Sequence, residues 1–307
     1  MPRFSVVIAC YNATETLAET LASLQSQDEQ DWEAICVDDG STDATLDMLQ
    51  AAAASDPRIH VIGKPNEGPS IARNVGAASA NADWIAFLDS DDIWVPQKLS
   101  HIAQVAATSP EADGIYGRIA FFEDSSTADT TTSTVKAGQT SLEDLLGENP
   151  VCTLSNLCVR RTAFLELNGF REDMRYSEDL EFLVRFVASG KTLVATPSVL
   201  VRYRASNNGL SANLMQMHEG WREAVASAGH EIADAQRDRA EALHLRYLAR
   251  RALRLNIPPK SAFQLALAGF KLSPLAFLGD GHRGPATLVS CLFAPLIPAP
   301  LRRSFFA

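Results

Sequence analysis

The chain has 307 residues, 46% of them hydrophobic and 21% charged, an ordinary globular composition with material for one large domain or a domain plus an appendage. Its formal charge of −10 argues against general nucleic-acid binding, and five scattered cysteines with no CxxC pair argue against a zinc site and fit a reducing cytosol. No apolar run reaches the ~18 residues of a spanning helix, and the apolar part of MPRFSVVIACYN is too short for a signal peptide.

Phe4–Cys10 (FSVVIAC) is a continuous apolar run, as expected of a strand buried on both faces. Leu17, Leu21 and Leu24 then recur at helical spacing, Trp32–Val37 reads as a second strand, and a helix runs through Leu46 and Leu49. Arg58–Gly63 is a third strand, Pro69–Ala80 a helix, Trp84–Leu88 a strand and Gln97–Thr108 a helix. This alternation predicts an α/β fold, a mainly parallel sheet with helices on both faces. The polar clusters Tyr11-Asn12, Asp38-Asp39 and Asp89 to Asp92 all fall at strand carboxyl ends, where such sheets bind ligands.

Further along, Gly114–Glu123 reads as a strand and Asp124–Thr134 as a polar loop. A short helix near Leu142–Leu146 and an apolar segment Cys152–Val159 follow, then helices over Arg161–Leu167 and about Ser177–Ser189. Leu193–Arg204 reads as a strand pair or an extended return, 213–257 is helical, and the seven prolines of 258–307 predict that long regular elements stop there. The charge changes sign near residue 212: residues 1–212 hold 15 basic and 30 acidic side chains, residues 213–307 hold 12 and 7. The sign change suggests two parts with different jobs, residues 1–212 and a basic helical region over 213–307.

WIAFLDSDDIWVPQKL (84–99) places Asp89, Asp91 and Asp92 after a buried strand, with no basic residue before Lys98. One Asp there is an ordinary turn or cap residue. Three repel one another unless a cation neutralises them, and D-x-D spacing suits a hard ion such as Mg²⁺ or Mn²⁺. Asp38-Asp39 either caps the following helix or accepts hydrogen bonds from a base or ribose. Arg73, early in the helix of NEGPSIARNVG, opposes the helix dipole, which favours a carboxylate or phosphate partner. Glu178-Asp179 is an ordinary acidic first turn taken alone; beside an acceptor hydroxyl one of them is a general base. Neither GxGxxG nor a P-loop is present.

Together VVIACYNATETLAETLASLQSQ, ICVDDGSTDAT, NEGPSIARNVG, FLDSDDIWVPQKL and SEDLEFLVR resemble a family-2 glycosyltransferase of the GT-A type, in order from about residue 3 to 204. The resemblance implies inverting sugar transfer from a nucleotide-diphospho-sugar, UDP favoured, with Mg²⁺ or Mn²⁺, in bacterial cell-surface polysaccharide assembly. It puts Ala9, Tyr11, Asn12, Asp39 and Arg73 on the nucleotide, with Asp89 and Ser90 of the D-x-D. Asp91, with Asp89, would hold the metal, and Asp179 beside Glu178 would be the base. Two motifs depart from the family pattern. Asn168-Gly-Phe-Arg-Glu172 stands for Gly-Gly-Phe-Asp-Glu, and Tyr203-Arg-Ala-Ser206 lacks the His of Tyr-Arg-x-His, for which Arg202 or Arg204 is the replacement candidate.

Leu245, Leu248, Ala252 and Leu255 form an apolar stripe with Arg246, Arg250 and Arg254 on another face: either a packed helix with a solvated basic side or an interfacial helix. Ala286–Leu301 is apolar but broken by proline. The expected partners are a nucleotide-sugar donor and a saccharide or lipid-linked saccharide acceptor, with no nucleic acid. The expected place is the cytoplasm, with 240–307 a candidate for peripheral contact with the inner face of the cytoplasmic membrane. A sugar nucleotidyltransferase would carry a Gly-rich, Arg-containing loop after the first strand, which ACYNATE is not. A non-catalytic nucleotide-sugar binding module would not need Asp179 and the D-x-D.

Overall fold

The computed structural model describes residues 1–122, 129–205, 213–229, 232–255, 257–279 and 281–297. They fall into two units: Met1–Ser141 with Pro150–Ser206, and Leu142–Asn149 with Asn207–Ala307.

The first unit is built on β1 (Phe4–Cys10), β2 (Trp32–Asp38), β3 (Ile59–Gly63) and β4 (Trp84–Phe87), separated by α1 (Leu17–Gln25), α2 (Thr45–Ser55) and α3 (Pro69–Ala78). After them come β5 (Ile93–Trp94), α4 (Lys98–Thr108), β6 (Gly114–Phe122), β7 (Thr131–Thr132) and β8 (Gly138–Gln139). Beyond the excursion at 142–149 lie β9 (Cys158–Arg160), α6 (Arg161–Glu166), α7 (Glu178–Ala188) and β10 (Leu193–Arg204). The sheet order is β3-β2-β1-β4-β9-β6-β10-β5, with β7 on β6 and β8 on β10. The pairs β3/β2, β2/β1, β1/β4 and β6/β10 are parallel, whereas β9 and β5 run antiparallel to their neighbours. Of the expected polar loop over 124–134, residues 129–134 are described and contain β7; residues 123–128 lie outside the described residues.

Burial follows the apolar runs. Phe4, Val6 and Ile8 of β1, Leu17, Leu21 and Leu24 of α1, and Leu99 and Ile102 of α4 share one core. On the other side Phe87, Phe164, Phe170, Phe182 and Phe186 form a chain of ring contacts with centroids 5.1–5.6 Å apart. Close approach of α3 to the sheet requires Gly76, since a Cβ there would lie 2.5 Å from Val7 Cγ1. The extended stretch 193–204 is one strand, with register shifts around Pro197, which cannot donate to a ladder.

The second unit contains α5 (Leu142–Gly147), α8 (Leu214–Ser227), α9 (Asp234–Arg254), α10 (Pro259–Leu272), α11 (Pro274–Leu278) and α12 (Arg283–Phe293). Leu248, Ala252, Ala262, Ala266, Phe277 and Cys291 form its core. The expectation that prolines end regular structure after 258 is wrong. Pro259 and Pro274 occupy the first turns of their helices, where a missing N–H costs nothing, so they start helices. The basic side of α9 is not simply solvated either. Arg246 is buried, donating to Phe277 O at 3.1 Å and Glu148 Oε1 at 3.2 Å. Among the described residues no helix is long and apolar enough to cross a membrane. Ser206 and residues 298–307, which belong to the Tyr-Arg-x-His position and the Pro-broken tail, lie outside the described residues.

Candidate active site

Parallel register aligns the ends of three strands: Cys10 pairs with Asp38, Asp38 with Gly63, and Val7 with Phe87. The loops after β1, β2 and β4 therefore emerge side by side. Asn12, in a left-handed conformation (φ 49°), ties the first two together. Its N–H donates to Ser41 Oγ at 3.0 Å and its Oδ1 accepts the Thr42 N–H at 2.8 Å. Beside it Tyr11 is 51% exposed, and Ala9 sits next to Val37 in the sheet.

Asp39 is buried and accepts from Lys64 Nζ at 2.6 Å, from the Glu67 N–H at 3.0 Å and from the Gly68 N–H at 2.8 Å. It thus organises the entry to α3; ahead of α2 it is Asp43, before the N-cap Ala44, that accepts the Thr45 N–H at 3.0 Å. Its neighbour Asp38 accepts the Ser41 N–H through Oδ2, while its buried Oδ1 has no donor among the described residues. An orphaned carboxylate oxygen at a strand end is what a ligand donor would satisfy.

In the loop after β4, Asp89 accepts from Arg73 Nη2 at 2.8 Å through one oxygen and from Thr153 Oγ1 at 3.1 Å through the other. Its N–H donates to Ser155 Oγ at 2.9 Å. The Ser90 carbonyl accepts from Thr16 and Thr20 hydroxyls at 2.8 and 3.0 Å, anchoring the loop to α1. Asp92 is fully buried, with Oδ2 3.2 Å from the same Thr153 hydroxyl and Oδ1 accepting the Arg204 N–H; burial, then Asp91 and Asp89, push its pKa well up. Arg204 Nε donates to the Asp91 carbonyl at 2.8 Å, and Lys98, fully buried, donates to Ser155 O at 2.7 Å. Burial holds the Lys98 pKa down to about 7. The cationic partners that the linear sequence lacks around Asp89 to Asp92 thus arrive from α3 and β10. Asp91 is still left with a carboxyl pushed up to about 6 by burial and by Asp89.

Arg73 also donates to Glu178 at 2.9 Å, joining the D-x-D loop to the start of α7. Against the cost of its own burial, Asp89 and Glu178 raise the Arg73 pKa, so the guanidinium is fixed as a cation. Ser177, ahead of Glu178, holds a left-handed φ of 59°, a conformation uncommon for a side chain with a Cβ and frequent at functional sites. Next in line, Asp179 is pushed up to about 7, first by burial and then by Glu178. A carboxylate near 7 is suited to take a proton at neutral pH.

The turn before α7 is fixed by Asn74, whose amide donates to Phe170 O at 2.8 Å and accepts the Phe170 N–H at 2.9 Å. Arg185, paired with Glu181 at 2.8 Å, donates to Gly169 O at 2.8 Å. Arg171 pairs with Asp173, and Arg202 with Asp129 at 2.8 Å, so of the two arginines of β10 it is Arg204 that reaches the D-x-D loop. Sequence reading missed Lys64, Thr153, Ser155 and the role of Lys98. The only signal was polar Thr-x-Ser-Asn inside the apolar 152–159 segment.

Among the described residues no three His, Cys, Asp or Glu side chains are grouped to cage a metal. A Mg²⁺-type ion needs no cage: one or two carboxylates plus phosphate and water complete its shell. Asp91, whose carboxylate is engaged by no other side chain's hydrogen bond among the described residues and is held toward neutrality by its surroundings, fits that role.

Residues 5–167 match the family described as Glycosyl transferase family 2. The chain is 30% identical to TuaG of Bacillus subtilis (strain 168), a glycosyltransferase assigned to teichuronic acid biosynthesis, over 69% of this chain and 82% of TuaG. It is 29% identical to the succinoglycan biosynthesis protein ExoO of Rhizobium meliloti (strain 1021), over 71% of this chain and 65% of ExoO. Among solved structures it is similar to S. aureus TarS 1-349 in complex with UDP-GlcNAc, with a TM-score of 0.66 and 19% identity over 95% of this chain and 89% of that one. A mannosyltransferase from Pyrobaculum calidifontis, in complex with GDP-Man and Mn²⁺, gives a TM-score of 0.57 and 18% identity over 99% and 84%. These likenesses show a GT-A-like sheet flanked by helices, with further helices at the C-terminus.

Proposed function

The chain belongs to glycosyl transferase family 2 and is a glycosyltransferase, and from that premise we propose that it moves a sugar from a UDP-sugar to a hydroxyl of a saccharide or lipid-linked saccharide, with inversion. The reading divides the labour between a catalytic domain over 1–212 and a helical region over 213–307. UDP is favoured because TarS is a structural relative solved with UDP-GlcNAc; cell-surface polysaccharide assembly is favoured by TuaG and ExoO.

Asp179 is the general base, receiving the acceptor proton as that oxygen attacks the anomeric carbon from the face opposite the nucleotide. One displacement inverts the centre, so no enzyme nucleophile is required. Glu178 keeps Asp179 basic through its charge and keeps Arg73 in place through its hydrogen bond. Ala9, Tyr11, Asn12 and Asp39 frame the nucleoside, and Asp38 Oδ1 is added to that set as an acceptor for a base N–H or ribose hydroxyl. Asp91, with Asp89, would hold Mg²⁺ or Mn²⁺; such an ion neutralises the charge that develops on a leaving diphosphate. Arg204 and Ser90 keep the main chain of this loop in position.

The observation that carries the reading is Arg73 spanning Asp89 and Glu178, which ties the D-x-D loop to the helix start that carries the base one residue on. The test is release of free nucleotide from UDP-, GDP- and dTDP-sugars with Mn²⁺, Mg²⁺ or EDTA. Metal-dependent release from one donor, lost in Asp91→Ala and Asp179→Asn, is expected. Nucleotide binding without any turnover, with acceptors supplied, would instead identify a binding module.

A further inference from the structure

Helix α12 carries apolar side chains on opposite faces, and only one face is covered. Gly284, Thr287, Cys291 and Ala294 are buried in the second unit. Val289, Leu292, Phe293 and Leu296 are 50–77% exposed, and Leu275 of α11, which packs on α12, is 88% exposed. No charged residue occurs from 284 to 297. A helix apolar all round is normally enclosed, and a continuous exposed apolar face marks an interaction surface.

Charge identifies the occupant. From residue 242 to the end there are nine Lys and Arg against a single acid, Asp280. Arg246, Arg250 and Arg283 converge on one carboxylate, Glu148, at 3.2, 3.8 and 3.7 Å. Lys271 precedes the apolar segment at the end of α10, Arg283 opens α12, and Arg302 and Arg303 follow in sequence. A second copy of so basic a segment would meet like charge; an anionic lipid surface complements it. The element involved is not α9, since Arg246 on that helix is buried.

We propose that α11, α12 and the 3-10 turn after it (Ala294–Leu296) lie in the headgroup region of an anionic bilayer, with Leu275, Val289, Leu292, Phe293 and Leu296 inserted and the neighbouring Lys and Arg on lipid phosphates. This goes beyond the transfer reaction and needs neither donor nor metal, so it stands or falls separately from that reading. The test is co-sedimentation of the full chain with vesicles of phosphatidylcholine alone or mixed equally with phosphatidylglycerol, alongside light scattering without lipid. Binding should be at least about tenfold stronger to the anionic vesicles. It should fall about tenfold in Val289→Asp/Leu292→Asp, less in the milder Phe293→Ser, and several-fold in Lys271→Gln/Arg283→Gln. Met215→Asp, at an exposed apolar position on α8, should bind as wild type. No binding to anionic vesicles, or equal binding by Val289→Asp/Leu292→Asp, overturns the proposal. So does a lipid-free dimer that Val289→Asp/Leu292→Asp dissolves, because the face then belongs to self-association.

Discussion

Arg73 donates to Asp89 at 2.8 Å and to Glu178 at 2.9 Å, holding two acidic loops that are remote in sequence on one guanidinium. Its side chain is only 11% exposed, so removing it leaves carboxylates facing each other in a poorly solvated place. Arg73→Met should lower stability by about 3–5 kcal/mol, the cost of breaking a buried pair from one side. Arg73→Lys restores charge but not the planar fork, and should recover part of the stability and little of the activity. Denaturant unfolding of the three proteins measures this; equal stability of Arg73→Met and wild type would show that the bridge carries no load.

Asp179, pushed up to about 7, sets an acid limb on the transfer rate. As a base it works ionised, so kcat/KM should fall tenfold per pH unit below about 7 and level off above it. Arg73 lowers the Asp179 pKa, so any residual activity of Arg73→Gln should show that limb moved to higher pH. Asp179→Asn should lose activity at every pH with the fold intact. A limb unchanged in Arg73→Gln would separate the base from this network.

Asp91 should cost stability in order to be available. Its folded pKa, about 6, exceeds the ordinary carboxylate value, so the native state binds its proton more tightly than the unfolded chain. The stability it contributes is therefore complete at low pH and lost as pH rises through about 6. At pH 7 to 8 with EDTA, Asp91→Asn should be about 1–3 kcal/mol more stable than wild type, with the gap closing below about pH 4. Added Mn²⁺ should raise the wild-type melting temperature in the presence of UDP and leave Asp91→Asn unmoved.

The two neighbours at the end of β2 should respond oppositely. Asp39 holds Lys64 and two main-chain N–H groups, so Asp39→Ala should cost about 2–4 kcal/mol by leaving them unpaired. Asp38→Asn keeps an acceptor for Ser41 and should change stability by less than about 1 kcal/mol. It should nevertheless weaken UDP binding about tenfold, as read by calorimetry, if the open Oδ1 meets the nucleoside.

The parallel half of the sheet was legible because β1, β2 and β4 are apolar runs ending in polar clusters, and parallel register converts those ends into neighbours. What could not be read was pairing across the chain. Around Asp89 to Asp92 the nearest cation in sequence is Lys98, yet Arg73 and Arg204, 16 and 113 positions from their partners, complete the loop. Thr153 and Ser155 were hidden for the same reason, since a hydroxyl inside an apolar segment shows its purpose only when the facing carboxylate or main-chain N–H of Asp89 is known. Proline after 258 misled because its effect depends on position within a turn, which composition does not record.

Gly76 links the sheet to the site, being one turn beyond Arg73 on α3 and pressed on Val7. Gly76→Ala gains helix propensity but forces a Cβ into Val7 Cγ1, at 2.5 Å, and Val37 Cγ2, at 3.3 Å. The helix must lift, and the net cost should be about 1–3 kcal/mol. Because the same displacement carries Arg73 away from Asp89 and Glu178, activity should fall more than stability alone explains. Val7→Ala removes the colliding methyl group, so the double variant should be more stable than the sum of the single effects by about 1–2 kcal/mol. Strict additivity in that cycle would mean that α3 tolerates the methyl group without moving, and that Arg73 is positioned by its ion pairs instead of by the packing of its helix.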